Sequence, residues 1–89
     1  MKRPYLEVTF RNGRPVAAYL YLPRVAGVRS ARTAELGPGI LVDYAADGTP
    51  IGLELTDPAH AAPSAVNEAL RSLGVPPLEA RELAPLAAA

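Results

Sequence analysis

"ILVDYAADGTPIGLEL", Ile40–Leu55, is the stretch whose reading decides the fold. Apolar residues alternate with others on both sides of Asp47-Gly48, a dipeptide typical of tight hairpin turns. A two-residue loop there pairs Ile40 with Leu55, Val42 with Leu53 and Tyr44 with Ile51, and all six share one face. That agreement sets the register, because a one-residue slip turns one strand inside out. The other face carries Leu41, Asp43, Gly52 and Glu54, with Asp43 opposite Gly52 and diagonal to Glu54. Diagonal neighbours on a sheet lie roughly 7–8 Å apart, so the two carboxylates can share a surface. Gly48 supplies the positive backbone dihedral of the turn. Gly52 leaves room opposite Asp43 or permits a close approach of backbone.

A second hairpin lies upstream. In "YLEVTF" Leu6, Val8 and Phe10 alternate with Tyr5, Glu7 and Thr9, the period of a half-buried strand. Asn12-Gly13 follows, and then "PVAAYLYL" sets Val16, Ala18, Leu20 and Leu22 on one face and Ala17, Tyr19 and Tyr21 on the other. A two-residue loop would oppose Leu6 to Tyr19. A three-residue loop, with Gly13 left-handed in a bulged turn, brings the aliphatic faces together and is the expected form. Pro15 suits an edge or turn-proximal position. Between the hairpins, Gly27, Gly37, Pro38 and Gly39 punctuate an irregular stretch in which residues 31–36 are a candidate third strand.

After the loop "TDPAHAAP", "SAVNEALRSLG" reads as a helix. Ser64 is the expected N-cap, Val66, Ala69, Leu70 and Leu73 form the apolar stripe, and Gly74 is the terminator. "PLEAREL" is a candidate second short helix with Pro77 at its first position and Pro85 as its stop; the last alanines are expected to fray. The expectation is therefore an α+β fold. It has a mainly antiparallel sheet of four or five strands in two hairpins, one C-terminal helix and a short helical tail. Residues 1–57 form the β-rich core and 58–89 a helical extension of the same domain.

Composition bounds the function. With 89 residues one domain is the prior, and a chain of this size buries only about 60–65% of its unfolded surface. Apolar residues make up 49% and charged residues 20%, ordinary values for a globular domain. No cysteine is present, which excludes disulfides and thiolate metal sites and fits a reducing cytoplasm, the expected location. No apolar run approaches the ~18 residues of a membrane span, and "MKRPYLEV" lacks the apolar core of a signal peptide. Formal net charge is zero, yet seven basic residues against only Glu7 occupy residues 1–34 and eight acids against two arginines occupy 35–89. Neutrality removes the usual footprint of nucleic-acid binding.

The chain resembles a family of small bacterial proteins catalogued as domain of unknown function 2283. "VTFRNGRPVAAYLYL" is similar to that family's opening hairpin. "TAEL" followed by "GPGILVDYAADGTPIGLEL" is similar to its most recognisable segment, in which Val-Asp-Tyr and an Asp-Gly turn lead to Gly-aliphatic-Glu-aliphatic. The likeness spans most of residues 8–57. It implies no activity, substrate or catalytic residue. Two carboxylates common in the family are absent: Arg11, Asn12, Gly13 and Arg14 stand at a turn that is commonly acidic, and Ala45 replaces an Asp after the tyrosine.

Asp43, Glu54 and the single histidine, His60, are the weak candidates for a metal site or for a metal-dependent enzyme. Two carboxylates without further ligands make a poor site, and no phosphate loop or dinucleotide fingerprint is present. The chain is thus expected to be no enzyme and to need no cofactor. The leading reading is a non-catalytic protein-interaction module that self-associates, a homodimer above all, or that binds another small protein. Its interface candidates are Tyr19 and Tyr21 on the open sheet face and Leu78, Leu83 and Leu86 in the tail. The alternative is a nucleic-acid-associated or toxin–antitoxin-like regulator using Arg11, Arg14, Arg24, Arg29 and Arg32. Gly13, Gly48 and Gly52 are the structural glycines.

Overall fold

Five strands form one antiparallel sheet in the computed structural model, which describes residues 3–87. They are β1 (Tyr5–Arg11), β2 (Arg14–Tyr21), β3 (Arg32–Gly37), β4 (Ile40–Tyr44) and β5 (Pro50–Leu55). Their order across the sheet is β1-β2-β5-β4-β3. Both expected hairpins are present, and the candidate third strand forms the far edge. The loop after β2 crosses one end of the sheet to reach β3. A 3₁₀ turn (Pro58–His60), helix α1 (Pro63–Ser72), a four-residue helix α2 (Ala80–Leu83) and a 3₁₀ turn (Ala84–Ala87) complete the chain. No helix among the described residues is long and apolar enough to cross a membrane.

The aliphatic faces meet as alternation requires: Leu6 opposes Leu20, Val8 opposes Ala18, Ile40 opposes Leu55 and Val42 opposes Leu53. The turns that achieve this differ from expectation. Arg11 pairs with Arg14, so the first loop is the two residues Asn12 and Gly13, with φ of 52° and 76°. The register is restored by a bulge between Thr9 and Phe10 on one strand and Pro15 and Ala17 on the other, which leaves Val16 unpaired. In the second hairpin Ala45 N–H donates to Thr49 O and Gly48 N–H to Ala45 O. The loop is therefore three residues, Ala46–Gly48, with Gly48 left-handed at φ 90°. Tyr44 pairs with Pro50 rather than Ile51, and Ile51 is the bulged residue. In each hairpin a bulge absorbs the one-residue difference between turn chemistry and face alignment.

One sheet face packs under the helical segment. Leu20, Leu22, Val42, Leu53 and Leu55 form a single core with Val66 and Leu70 of α1. Burying each such side chain stabilises by about 1.5–3 kcal/mol. Helix α1 starts two residues earlier than expected: Ala62 rather than Ser64 is its N-cap and Pro63 its first residue, so Ser64 lies inside the first turn. Proline fits there because it lacks the amide hydrogen that the position would leave unbonded. The C-terminus follows the Schellman pattern. Gly74 N–H donates to Arg71 O at 3.0 Å and Val75 N–H to Leu70 O at 2.9 Å, with Gly74 at φ 74°. Helix α2 begins at Ala80 with Glu79 as N-cap, not at Pro77, and Pro85 sits within the 3₁₀ turn that continues it.

The tail returns to its own sheet. Leu78, Leu83 and Leu86 are 8%, 1% and 3% exposed and belong to the same core. Asn67 clamps the approach: its amide donates to Leu78 O at 3.0 Å and accepts from Leu78 N–H at 2.8 Å. Of the final alanines, expected to fray, Ala87 closes the last 3₁₀ turn, and Ala88 and Ala89 lie outside the described residues.

Candidate functional site: the open face of the sheet

The face turned away from the helices is built in rows. One row runs Glu7, Tyr19, Glu54, Leu41 and Glu35 across the five strands, and the next runs Tyr5, Tyr21, Gly52, Asp43 and Thr33. Tyrosine side chains gather at the β1–β2 side. Tyr5 and Tyr21 stack with ring centroids 5.6 Å apart, and Tyr19 meets Tyr21 edge-on at 4.7 Å. Such pairs are worth about 0.5–1.5 kcal/mol each beyond their burial. Arg24, from the loop after β2, lies 5.2 Å from the Tyr21 ring centre and donates to the backbone oxygen of Ile51.

Asp43 is the hub of the face. The Tyr19 hydroxyl donates to its Oδ2 at 2.6 Å, and the Thr33 hydroxyl donates to its Oδ1. Tyr19 sits on β2 and Asp43 on β4, so the phenol ring must cross β5. It does so over Gly52, where any Cβ would collide with the ring and its hydroxyl. The glycine expected to leave room opposite Asp43 therefore does so for Tyr19. Burial pushes the Asp43 carboxyl up, but hydrogen bonds from Thr33, Tyr19 and Ser30 and the charge of Arg24 outweigh it and hold it below its ordinary value. For Tyr19, burial, followed by the hydrogen bond to Asp43 and that group's negative charge, pushes the phenol up to about 12, with Arg24 acting in the opposite direction. A phenol held protonated at neutral pH is a hydrogen-bond donor, not a base.

Glu54 shares this face and is exposed, opposite Leu41 and Tyr19. His60 is elsewhere: it lies in the 3₁₀ turn after β5, with its Nδ1 3.0 Å from Asp57 Oδ1 and both side chains largely solvated. Asp43, Glu54 and His60 are not brought together, and among the described residues no group of three His, Asp or Glu side chains is placed to hold a metal ion.

The five arginines of the alternative reading divide between the two ends of the sheet. Arg11 and Arg14 flank the first hairpin turn, whereas Arg24 follows β2 and Arg29 and Arg32 precede and open β3. The eight residues of β2 separate the groups by about 25 Å at ~3.3 Å per residue. Arg32 stacks on the Tyr44 ring, 4.1 Å from its centre. Of the interface candidates, Tyr19 and Tyr21 are half-buried on the open face, while Leu78, Leu83 and Leu86 are consumed by the core. The sequence reading missed Tyr5 and Thr33. Alternation placed Tyr5 beside Tyr21, but the link from Thr33 to Asp43 depended on β3 pairing with β4.

Residues 17–57 match the family model described as "Protein of unknown function (DUF2283)", the family that the motifs resemble. The matched segment holds Tyr19, Thr33, Asp43 and Gly52, so the whole Asp43 cluster lies within it. Strand β1, helix α1 and the tail lie outside. No curated protein and no solved structure matches the chain.

Proposed function

We propose that this chain, a DUF2283 segment with a helical extension, is a non-catalytic protein-interaction module that self-associates. The observation that supports this reading is the one-sided cover of the sheet. Helix α1 and the tail bury one face, and the opposite face holds a tyrosine ladder fixed by the Asp43 hydrogen bonds. Rigid tyrosines and arginines are the residue types favoured at protein interfaces, because they offer contact area at small entropic cost. The same network argues against catalysis. Both Asp43 oxygens accept hydrogen bonds, and Tyr19 is held as a neutral donor.

With the tail leucines satisfied within the chain, the open face and the sheet edges are the surfaces left for association. Light scattering on the full chain over a concentration series tests the reading. The expected result is twice the chain mass at high micromolar concentration, falling on dilution. A monomeric mass at high micromolar concentration refutes it.

A further inference from the structure

The sheet has two edges, and they are not equivalent. Strand β3 is interrupted by a bulge, where Glu35 pairs with Leu41 and Gly37 with Ile40, and Pro38 follows directly. Bulges and prolines are the devices that blunt an edge. Strand β1 is seven residues long, with no proline inside it; its hairpin's bulged residue, Val16, belongs to β2. Pro15 also lies in β2, and Pro23 follows that strand, so neither shields the β1 edge. Pro4 directly precedes β1, and Pro85 of the tail shares a groove with Tyr5 and Leu6. Three of the large apolar side chains left exposed, Tyr5 (54%), Phe10 (45%) and Val16 (42%), belong to this hairpin.

We propose that two copies of the chain pair through their β1 strands, antiparallel about a two-fold axis at Val8, to form one ten-stranded sheet. The proposal rests on the self-association above and names its surface. The sequence of β1 is self-complementary about Val8. On the helix side, Val8 meets Val8 and Leu6 meets Phe10 of the second copy. On the open side, Glu7 meets Thr9 and Tyr5 meets Arg11, a cation–aromatic pair. All seven residues find a partner, and an isologous contact of this kind closes at two subunits. Moving the axis to Glu7 would set two glutamates opposite each other, which is destabilising. Moving it to Thr9 would leave Tyr5 and Leu6 without opposite residues.

The side chains support the same register. A groove of about 220 Å³ opens beside Leu6, walled by Pro4, Tyr5, Leu20, Leu78 and Pro85, together with the exposed Glu82. In this register the half-exposed Phe10 of the second copy lies opposite Leu6 and enters that groove, and the contact occurs twice. An axis perpendicular to the sheet keeps both tyrosine ladders on one side, so the dimer presents a doubled open face.

Because the chain contains no cysteine, a single introduced thiol reports the contact. Directly opposed residues lie about 4.5–5.5 Å apart in Cα, inside the range a disulfide spans. Under oxidised glutathione, Val8→Cys is expected to give a covalent dimer in most of the protein, and Glu35→Cys on the opposite edge is expected to stay unlinked. Phe10→Ala is expected to weaken the dimer about tenfold or more. If Val8→Cys fails to fold by circular dichroism, a mixture of Glu7→Cys and Thr9→Cys chains decides: the mixture should link at least tenfold more than either chain alone. A wild-type dimer in which Val8→Cys or the mixed pair does not link overturns the β1 contact while leaving self-association standing. A monomeric wild type overturns both.

Discussion

Gly52→Ala tests the arrangement of the open face with one methyl group. The added carbon would occupy the space of the Tyr19 ring, so either the ring leaves its seat or β5 shifts. If the ring leaves, the chain loses a hydrogen bond from a phenol to a carboxylate, 2.6 Å long, worth about 1.5–3 kcal/mol. It also loses the edge contact with Tyr21, about 0.5–1.5 kcal/mol. Replacing a strand glycine by alanine returns about 0.5–1 kcal/mol through backbone entropy. The net expectation is a destabilisation of about 2 kcal/mol. For a domain of this size that lowers the melting temperature by roughly 8–16 °C. Thermal and urea unfolding followed by circular dichroism measure it, and a double-mutant cycle isolates the cause. In a Tyr19→Ala background the clash is gone, so Gly52→Ala should become neutral or stabilising by up to about 1 kcal/mol. An equal loss in both backgrounds would refute the seat over Gly52.

Four further outcomes follow from the structure. Tyr19 titrates at about 12 when folded, against an ordinary 10.0; its contribution to stability is complete below pH 10 and is lost as pH rises through 12. Absorbance titration should show a late-ionising phenol, and Asp43→Asn should bring it part of the way back. Asp43 has the opposite sign: its carboxyl is held below 3.8, so its contribution is present above that value and lost as pH falls through the folded pKa. Asp43→Asn should flatten the acid limb of the stability profile. A chain ending at Gly74 should lose cooperative unfolding, because removing Leu78, Leu83 and Leu86 forfeits about 5–9 kcal/mol of burial, comparable with the whole stability of a small domain. Duplex DNA should not bind near physiological salt, since the arginines are split between two ends of the sheet. Micromolar binding with a log–log salt slope of about −4 to −5, weakened by Arg29→Ala and Arg32→Ala, would contradict that.

The parts of the fold legible in the sequence were those governed by local periodicity. Alternation in Ile40–Leu55 named the faces, and the core pairs Ile40–Leu55 and Val42–Leu53 are present as read. Loop lengths were misread in both hairpins, because a bulge at Val16 or Ile51 can absorb an extra residue without disturbing the faces. Alternation does not say where that residue sits. The tail shows the same limit. Leu78, Leu83 and Leu86 are visibly apolar, but their destination depends on the clamp from Asn67, eleven residues before Leu78. Gly52 was legible as a place of close approach, yet its occupant comes from another strand. Tyr19 and Asp43 are 24 residues apart, and only the β2–β5–β4 order brings them within reach.

Hydrogen exchange at the β1 backbone, measured at low and high protein concentration, tests the central claim most directly, because an edge strand can gain protection only from another chain. Self-association through this edge predicts that the outward amides of β1 exchange rapidly in dilute solution and slow as concentration rises, while those of β3 do not change. Exchange that is independent of concentration along both edges, up to high micromolar protein, would contradict it.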